Sequence, residues 1–395
     1  MAFDGVEVYW TELSLRSEVR TAAGVHRRRP LLLVRILLGD GVDGWGECGA
    51  LGEGTSVDPS VARVWRTLGD EVLPGLFDRD PARPTPWPPS LPTSDPEPAR
   101  RTAAAALEMA VLDATLRTTH ASLARHLGVA RAWVRSGAVI GIPPDRRVVT
   151  LLEAVSHAVL QGALRARLKI EPGWDVAPVR TVREAFPELG IQVDANGAYR
   201  MGAAGESAAE RLAALDDLGL TCIEQPLDPL DPDDLASHAE LARIVQTPIC
   251  LDESLTTPAR VEQAIARDAC RVACLKPSRL GGIEAFQAAL KLCVAAGIDA
   301  FVGGLFESGL GRSVNACLAG LEGITLPSDV SNPSSYLVED LQAPHGHQDG
   351  SEMHTSLGQV AVWQETGVGP LPTPDVLARH TRHVLAFGPH RGPWA

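Results

Sequence analysis

From residue 135 onward, short apolar runs alternate with helix-like stretches at intervals of about 25–30 residues, the length of a strand followed by a helix. The runs are SGAVIGI, RARLKI (165–170), GIQVDAN (190–196), TCIEQP (221–226), PICLDE (248–253), RVACLKP (271–277), DAFVGG (299–304) and a weaker one, ITLPSDV (324–330). Eight such units predict an α/β fold built on a parallel barrel. The alternative is an open doubly wound sheet, which would normally carry a glycine-rich phosphate loop after an early strand, and the sequence has none there.

The N-terminal part of the sequence has a different pattern of predicted strands and helices. Residues 6–14 and 30–38 predict strands of an antiparallel hairpin or meander. Residues 79–97 are too rich in proline for a regular element and predict an exposed loop. Helix-like sequence follows over Thr102–Arg117 and then in SLARHLG, where Gly128 would be the C-cap. These elements predict a small α+β domain, so that a chain of 395 residues has two domains.

Composition excludes several classes of partner. The net charge of −13 argues against nucleic acid and anionic membranes, because both select basic surfaces. No apolar run reaches the roughly 18 residues of a membrane span, and MAFDGVEVYW lacks the basic start of a signal peptide. We therefore expect a cytoplasmic enzyme. Seven cysteines are scattered without a CxxC pair, which indicates neither a disulfide framework nor a zinc site.

Lysine is rare in this chain. Of 36 basic residues only Lys169, Lys276 and Lys291 are lysines, and the rest are arginines. Arginine does not lose its proton in a protein, whereas a buried lysine does and can act as a base. Lys291 lies in the helix-like stretch EAFQAALKLC and is predicted to be solvated. The other two lysines end strand-like runs, where a barrel gathers its functional residues.

Ionisable residues end five consecutive predicted strands: Lys169, Asp194, Glu224, Asp252 and Lys276. Any one acid in such a position is commonly a helix cap or a surface residue. Together, three carboxylates at one end of a barrel would repel each other and need a cation to stay ionised. Oxygen ligands without histidine or cysteine favour Mg²⁺, with Mn²⁺ as the alternative.

This arrangement suits removal of a proton next to a carboxylate. A bound metal ion would hold the substrate carboxylate and stabilise the dianion that forms. The metal and desolvation would lower the pKa of a lysine towards neutrality, which makes a neutral amine available as the base. Arg167 shares the face of Lys169 on one strand, and Arg279 follows Lys276 by three residues. We expect both arginines to favour the neutral amines by like-charge repulsion.

The chain resembles the enolase superfamily, its muconate-lactonizing-enzyme subgroup, and within it the o-succinylbenzoate synthase/N-succinylamino acid racemase family. The matching motifs run nearly end to end: GWGEC, LEMAVLDA, RLKIEPGWD, QVDANGAY, CIEQP, CLDES, LKPSRLGG, GGLFESGLGR and TLPSDVS. The set is highly specific for the family, whereas any one motif alone would not be.

The resemblance implies a (β/α)₇β TIM-like barrel over residues 131–344. It implies an α+β capping domain over residues 1–130, which the C-terminal tail, residues 345–395, completes. Relatives often assemble as dimers to octamers, so a homo-oligomer is expected.

The resemblance also assigns roles to the strand-end residues. Asp194, Glu224 and Asp252 would be metal ligands. Lys169 and Lys276 would lie on opposite faces of a small-molecule carboxylate substrate. The family's usual Lys-x-Lys appears here as Arg-Leu-Lys, so the base is kept but the tuning of its pKa differs.

Other residues follow from their positions in these motifs. Asn196 and Glu253 lie beside predicted ligands and are expected to orient them. Residues 15–26 match the position of the family's mobile capping loop, which places Val19 near the substrate. Four residues at the end of the seventh strand are expected to line the pocket: Gly303, Gly304, Phe306 and Ser308.

Two lysines across one site permit two reactions. Abstraction by one lysine with loss of hydroxide from the same face is syn-dehydration, as in o-succinylbenzoate synthase of menaquinone biosynthesis, and this lyase activity is the favoured prediction. Return of the proton from the far side gives an N-succinyl- or N-acylamino acid racemase, an isomerase, and one enzyme can do both. Dipeptide epimerisation and muconate cycloisomerisation are lesser alternatives. A metal-free glycoside hydrolase with two carboxylates, or a non-catalytic descendant, is the alternative from another class.

Overall fold

A computed structural model describes residues 3–21, 24–38, 41–55, 57–77, 97–202, 207–342 and 358–388. Its strands are β1 (Phe3–Thr21), β2 (Gly24–Leu38), β3 (Asp43–Cys48), β4 (Trp133–Arg135), β5 (Ala138–Ile140), β6 (Arg165–Lys169), β7 (Gly190–Asp194), β8 (Ile223–Glu224), β9 (Ile249–Leu251), β10 (Val272–Leu275), β11 (Asp299–Val302), β12 (Gln359–Ala361) and β13 (Thr381–Phe387).

The α-helices are α1 (Val61–Arg66), α2 (Leu73–Phe77), α3 (Pro98–Thr118), α4 (Leu123–Leu127), α5 (Val148–Leu160), α6 (Val176–Ala185), α7 (Ala208–Ala213), α8 (Asp234–Ile244), α9 (Pro258–Ala266), α10 (Pro277–Leu280), α11 (Ile283–Ala295), α12 (Gly309–Ala319) and α13 (Pro374–His380). A π-helical turn, Thr67–Val72, joins α1 to α2. Within the described residues, no helix combines the length and the apolar character needed to cross a lipid bilayer.

The N-terminal region is built on an antiparallel sheet in the order β13-β1-β2-β3. Helix α3 packs on this sheet at very short range, which explains the glycines of the GWGEC motif. A Cβ on Gly44 would lie 2.1 Å from the carbonyl oxygen of Ala110, and one on Gly46 would lie 2.0 Å from that of Ala106. Only glycine permits so close a backbone approach.

The first hairpin is longer than the sequence predicted. Strands over 6–14 and 30–38 are confirmed, but β1 continues to Thr21 and β2 starts at Gly24, so the loop expected over residues 15–26 is largely strand. The register shifts between Ser14 and Val19, as in a β-bulge. The hairpin extends because its backbone finds partners on the barrel side: the N–H of Arg16 donates to the carbonyl of Tyr336 at 2.9 Å.

The N-terminal helix predictions are confirmed, whereas the predicted proline-rich loop lies almost entirely outside the described residues. The predicted helix at 102–117 is confirmed as α3, and Gly128 ends α4 with φ 71°, the left-handed C-cap that was expected. The proline-rich loop predicted at 79–97 lies outside the described residues, except that Glu97 is the N-cap of α3.

The second sheet is parallel and has seven strands in the order β11-β10-β9-β8-β7-β6-β5. The segment 325–329 closes it. On one side the N–H of Asp329 donates to Val302 of β11 at 2.8 Å, and on the other the N–H of Gly137, directly before β5, donates to Ser328 at 2.9 Å. The predicted barrel is thereby confirmed, with strands at all seven clear apolar runs and a short closing segment at the weaker one.

The described part of the C-terminal tail returns to both regions. Strand β13 pairs antiparallel with β1, from Val6 opposite Phe387 to Thr11 opposite Thr381. Strand β12 pairs with β4, next to the first strand of the barrel. The N-terminal sheet is therefore completed by the last described strand of the chain.

Candidate active site

Three acids end neighbouring strands of the barrel at the same edge. Asp194 is the last residue of β7, Glu224 is the last of β8, and Asp252 directly follows β9. Asp194 and Glu224 are paired in the strand register. The side chains of the three acids are only 1%, 0% and 3% exposed, respectively. Parallel strands thus bring three carboxylates into one buried region, as the sequence predicted.

The two lysines flank these acids. Lys169 ends β6, and its Nζ donates to Asp194 Oδ2 and to Asn196 Oδ1, both at 2.6 Å. Lys276 directly follows β10, and its Nζ donates to Asp252 Oδ2 at 2.7 Å. In a barrel closed by an eighth segment, β6 and β10 are four positions apart and face each other across the interior.

Arg167 is held by acids. Its Nη1 donates to both carboxylate oxygens of Glu224 at 2.8 Å, and its Nη2 donates to Asp329. Asp329 also accepts from Arg165 at 2.9 Å, so two arginines of β6 are anchored to the segment that closes the barrel. Gln192 donates to Glu224 as well. The positive charge of Arg167 is therefore balanced locally, and its expected repulsive effect on Lys169 stays a prediction.

Arg279 connects the capping region to the barrel. Its guanidinium donates to Asp58 twice, from Nε at 2.8 Å and from Nη2 at 2.7 Å. Its Nη1 donates to Asp252. Arg279 is thus fixed between an acid of the N-terminal region and an acid of the strand-end group.

The pKa values of the acids differ because their neighbours differ. Burial, together with Asp194 and Asp252, raises the pKa of Glu224 to about 8 although Arg167 opposes this. Burial also disfavours ionisation of Asp252, but Arg279 and Lys276 outweigh it and hold the pKa of that carboxyl below its usual range. An added cation near Glu224 would favour the ionised form of this carboxyl.

The expectation of a lowered pKa for Lys276 included a bound metal ion and stays a prediction, but the protein groups alone act in the opposite direction. Burial and the neighbouring Arg279 do favour the neutral amine, as predicted. The attraction of Asp252, assisted by Asp58, exceeds them and raises the pKa above the ordinary value. Sequence reasoning named the repulsive neighbours and did not include the direct contact with Asp252.

Ligand atoms of Glu224, Asp252 and Cys274 lie within 4.8 Å of one another, close enough to hold a metal ion. Asp194 is turned instead towards Lys169 and towards the N–H of Asn196, which donates to its Oδ1 at 3.0 Å. Two of the three predicted ligands thus converge in this structure, and the third lies beside them on β7. The buried carboxylate oxygens fit a hard divalent cation.

Asn196 and Glu253 are hydrogen-bonded to each other next to these acids. Asn196 Nδ2 donates to Glu253 Oε1 at 2.9 Å, while Asn196 Oδ1 accepts from Lys169. The backbone of Asn196 has φ 43°, a left-handed conformation that asparagine tolerates better than most residues. Asn196 therefore links Lys169 to a buried carboxylate, in keeping with an orienting function.

The end of the seventh strand lies against Lys276. A Cβ on Gly303 would be 2.5 Å from Cys274 Sγ and 2.7 Å from Lys276 Cε, so glycine leaves the space that both side chains fill. A Cβ on Gly304 would be 2.9 Å from the carbonyl oxygen of Asp329. Both glycines make room for neighbouring protein groups.

The remaining predicted pocket residues are placed differently. Phe306 is half-buried with φ 56°, and its ring packs edge-on against Tyr336 at 5.5 Å between centroids. Ser308 is buried, and its hydroxyl and its N–H both donate to Glu47 of β3. The backbone of Val19 pairs with His26 in the hairpin, and its side chain lies outside the described part of the chain.

Sequence reasoning missed several partners of these groups: Glu47, Asp58, Gln192, Gln225 and Asp329. Gln225 braces the ends of β8 and β9, because its Oε1 accepts from the N–H groups of Asp252 and Ser254 at 3.0 and 3.1 Å. The available signal was alternation, since Gln192 lies two residues before Asp194 on the same strand face.

Glu47 fixes the capping sheet to the barrel at the start of α12. It accepts from the N–H of Ser308 at 2.9 Å and from that of Gly311 at 3.1 Å, besides the serine hydroxyl. Burial, together with Glu307, raises the pKa of Glu47 to about 7, while Ser308 and Arg29 favour the ionised form. The folded protein therefore holds this proton more tightly than the unfolded chain does.

We predict that Glu47 makes the protein less stable as the pH rises. A raised folded-state pKa favours folding at low pH, and this contribution is lost between the ordinary value of 4.5 and about 7. Glu47→Gln should remove this loss, so the variant should gain about 2–3 kcal/mol relative to the wild type between pH 5 and 8. Urea unfolding across that range measures it, with exposed Glu53→Gln as control. Parallel curves for wild type and Glu47→Gln would contradict the prediction.

Comparison with known proteins follows the same division of the chain. Residues 150–372 match the model described as Enolase C-terminal domain-like. Residues 5–128 match the mandelate racemase / muconate lactonizing enzyme N-terminal domain. The chain belongs to the mandelate racemase/muconate lactonizing enzyme family. Enzymes of this family depend on a divalent metal ion, which agrees with the carboxylates gathered at the strand ends.

Individual relatives within this family are similar over almost the whole chain. An N-succinylamino acid racemase from Amycolatopsis is 37% identical over 394 residues, covering 98% of this chain and 100% of that protein. An o-succinylbenzoate synthase from Geobacillus kaustophilus is 34% identical, covering 95% of each. The crystal structure of an enolase superfamily member from Listeria innocua has a TM-score of 0.86 at 28% identity, covering 99% of this chain and 100% of that one.

Proposed function

We propose that this member of the family removes the proton next to a substrate carboxylate, and that its main activity is that of an o-succinylbenzoate synthase. The cation would be Mg²⁺, with Mn²⁺ as the alternative, held by Asp194, Glu224 and Asp252. Lys169 and Lys276 would be the acid and base groups. The glycoside hydrolase alternative is dropped, because the family match and the flanking lysines do not support it.

The observation that carries this proposal is the order of groups across the barrel. A lysine on β6 and a lysine after β10 flank three buried acids on the strands between them. A substrate carboxylate over the acids would have one amine on each side of its α-carbon. Relatives that share most of the chain carry the names of both reactions that such a site permits.

The two lysines and the cation would have different roles in the reaction. Lys169 Nζ takes the α-proton, and its contact with Asn196 Oδ1 at 2.6 Å directs the amine. Lys276 is 8% exposed in a water-poor position and stabilises the negative charge on the opposite face. When bound, the cation would hold the substrate carboxylate and stabilise the charge developing on it.

Racemisation of N-succinylamino acids is the second candidate activity. It needs a proton donor on the face opposite to the base, and the attraction of Asp252 raises the pKa of Lys276, which favours the protonated amine. In dehydration the same lysine would act only through its charge. The two activities therefore use one site with different demands on Lys276.

A side-by-side assay tests the proposal. The protein would be given the hydrated precursor of o-succinylbenzoate and, separately, N-succinylamino acids, with Mg²⁺ or Mn²⁺. We expect dehydration to be the faster reaction, and we expect EDTA to abolish turnover until Mg²⁺ is restored. The metal-free protein, still folded by circular dichroism, is the control. Inactivity on both substrates would contradict the assignment, and racemisation alone would favour the second candidate.

We also propose a domain organisation and a cellular setting. The capping domain would comprise residues 1–130 and 345–395, and the barrel residues 131–344, because β13 completes the first sheet. A cytoplasmic homo-oligomer acting on a small-molecule carboxylate agrees with the acidic net charge of −13. Analytical ultracentrifugation would give the oligomeric state.

A further inference from the structure

Cys274 has no assigned task, although it lies inside the site. It precedes Lys276 by two residues on β10, so both side chains lie on the same face of the strand. The residue is 1% exposed. In the described part of the chain no hydrogen bond involves its sulfur, whereas Cys250 Sγ donates to the carbonyl of Leu251. A buried, unpaired thiol therefore points at the strand-end carboxylates.

The sulfur completes a ligand set of three atoms. Cys274 Sγ and one oxygen each of Glu224 and Asp252 lie within 4.8 Å of one another. The three residues come from the adjacent strands β8, β9 and β10, and all are buried. Two oxygens and one sulfur with a water molecule as fourth ligand are a donor set that Zn²⁺ accepts.

We propose that Glu224, Asp252 and Cys274 form a binding site for a thiophilic divalent cation, Zn²⁺ or Cd²⁺. Mg²⁺ prefers oxygen ligands and binds sulfur weakly, whereas a thiolate ligand favours softer ions. On binding, the thiol releases one proton to solvent, and the thiolate donates an electron pair to the metal. No electrons are transferred and no other bond changes.

This site overlaps the one proposed for the catalytic cation. Glu224 and Asp252 belong to both sets, so one ion excludes the other. Cys274 lies two residues deeper along its strand than Lys276, a distance of about 6–7 Å. A thiophilic ion would therefore be held further inside the barrel than the catalytic cation. As a regulatory consequence, which depends on the proposed function, such an ion would inhibit turnover.

The neighbouring cysteines provide the main competing explanation. Cys222 and Cys250 pack with Cys274, Val272 and Phe301 in one buried cluster. A site with two or three sulfurs would recruit them, but the convergent ligand group includes only the sulfur of Cys274. The proposal therefore commits to a single sulfur ligand, and experiment can count the sulfurs.

The first test is a titration of the metal-free protein with Cd²⁺, read by the ultraviolet thiolate-to-cadmium charge-transfer band. We expect the wild type to develop the band and Cys274→Ser to lose it. Cys293→Ser is the matched control, because Cys293 is also buried but lies on α11, and it should keep the band. A full band in Cys274→Ser, or none in the wild type, would overturn the proposal.

The second test uses only the wild type, so it does not depend on how a variant folds. The ¹¹³Cd NMR shift of the bound ion should indicate one sulfur among oxygen ligands. A shift typical of several sulfurs, or of oxygens alone, would refute the ligand set.

Competition tests the overlap of the two sites without any turnover. Increasing concentrations of Mg²⁺ should raise the Cd²⁺ concentration at which the charge-transfer band reaches half of its maximum absorbance. If Mg²⁺ has no effect on that concentration, the two sites do not overlap. Removing a residue that hydrogen-bonds to a metal ligand lowers metal affinity by about 10–100-fold. Removing the ligand itself should cost no less, so we expect Cys274→Ser to weaken Zn²⁺ binding at least about tenfold. Absence of the proposed enzymatic activity would leave these binding results unaffected.

Discussion

Alanine in place of Lys169 or Lys276 should lower turnover of the dehydration substrate by about 10²–10⁴-fold while the fold is kept. Lys169 would be lost as the base, and Lys276 as the charge on the opposite face. Both amines contact carboxylates at 2.6 and 2.7 Å, so each truncation also alters a proposed metal ligand, and metal affinity should be measured alongside. Lys291→Ala is the control, because this third lysine is exposed on α11. Wild-type turnover in either active-site variant would show that its assigned role is wrong.

Deuterium exchange separates the roles of the two lysines. In D₂O, Lys276→Ala should still exchange the α-proton of the N-succinylamino acid enantiomer that presents it to Lys169. Lys169→Ala should exchange only the mirror image, and neither variant should racemise. NMR loss of the α-proton signal measures each case. Exchange of both enantiomers by either variant would contradict the placement of the lysines on opposite faces.

Arg167→Met should lower the free energy of unfolding by about 3–5 kcal/mol, because it removes one partner of a buried ion network. Glu224 would lose both contacts at 2.8 Å with this guanidinium, and Asp329 would keep only Arg165. Urea unfolding in EDTA measures the loss without help from a bound cation. Arg271→Met is the control, since the ion pair of Arg271 with Asp268 is largely exposed.

The conservative replacement adds a sharper comparison. Arg167→Lys keeps the charge but offers a single ammonium, which cannot hold Glu224 and Asp329 as the guanidinium does. We expect its stability to fall between those of the wild type and Arg167→Met. If Arg167→Met is as stable as the wild type, the network does not stabilise the barrel.

The architecture could be predicted because its signals are local. Each barrel strand is a short apolar run, and Gly128 marks a helix end by itself. The extension of the first hairpin over residues 15–26 was missed because it depends on remote backbone contacts, such as that of Arg16 with Tyr336. Such partners have no signature in the local sequence pattern.

The candidate site was also predicted only in part from the sequence. Acids and lysines at strand ends were found because parallel strands finish at one edge of a sheet. The links from Asp58 to Arg279 and from Arg167 to Asp329 join distant parts of the chain, so no spacing pattern reveals them. Cys274 was passed over because a single cysteine forms no ligand motif, and its closeness to Glu224 appears only in three dimensions.

The pairing of β13 with β1 has a consequence for synthesis on the ribosome. Among the described residues, one edge of β1 pairs with a strand far along the chain, from Val6 opposite Phe387 to Thr11 opposite Thr381. While the nascent chain grows, that edge has no native partner until residues 381–387 have emerged from the ribosome. An unpaired strand edge is prone to aggregation, so newly made chains would depend on chaperones more than the finished fold does.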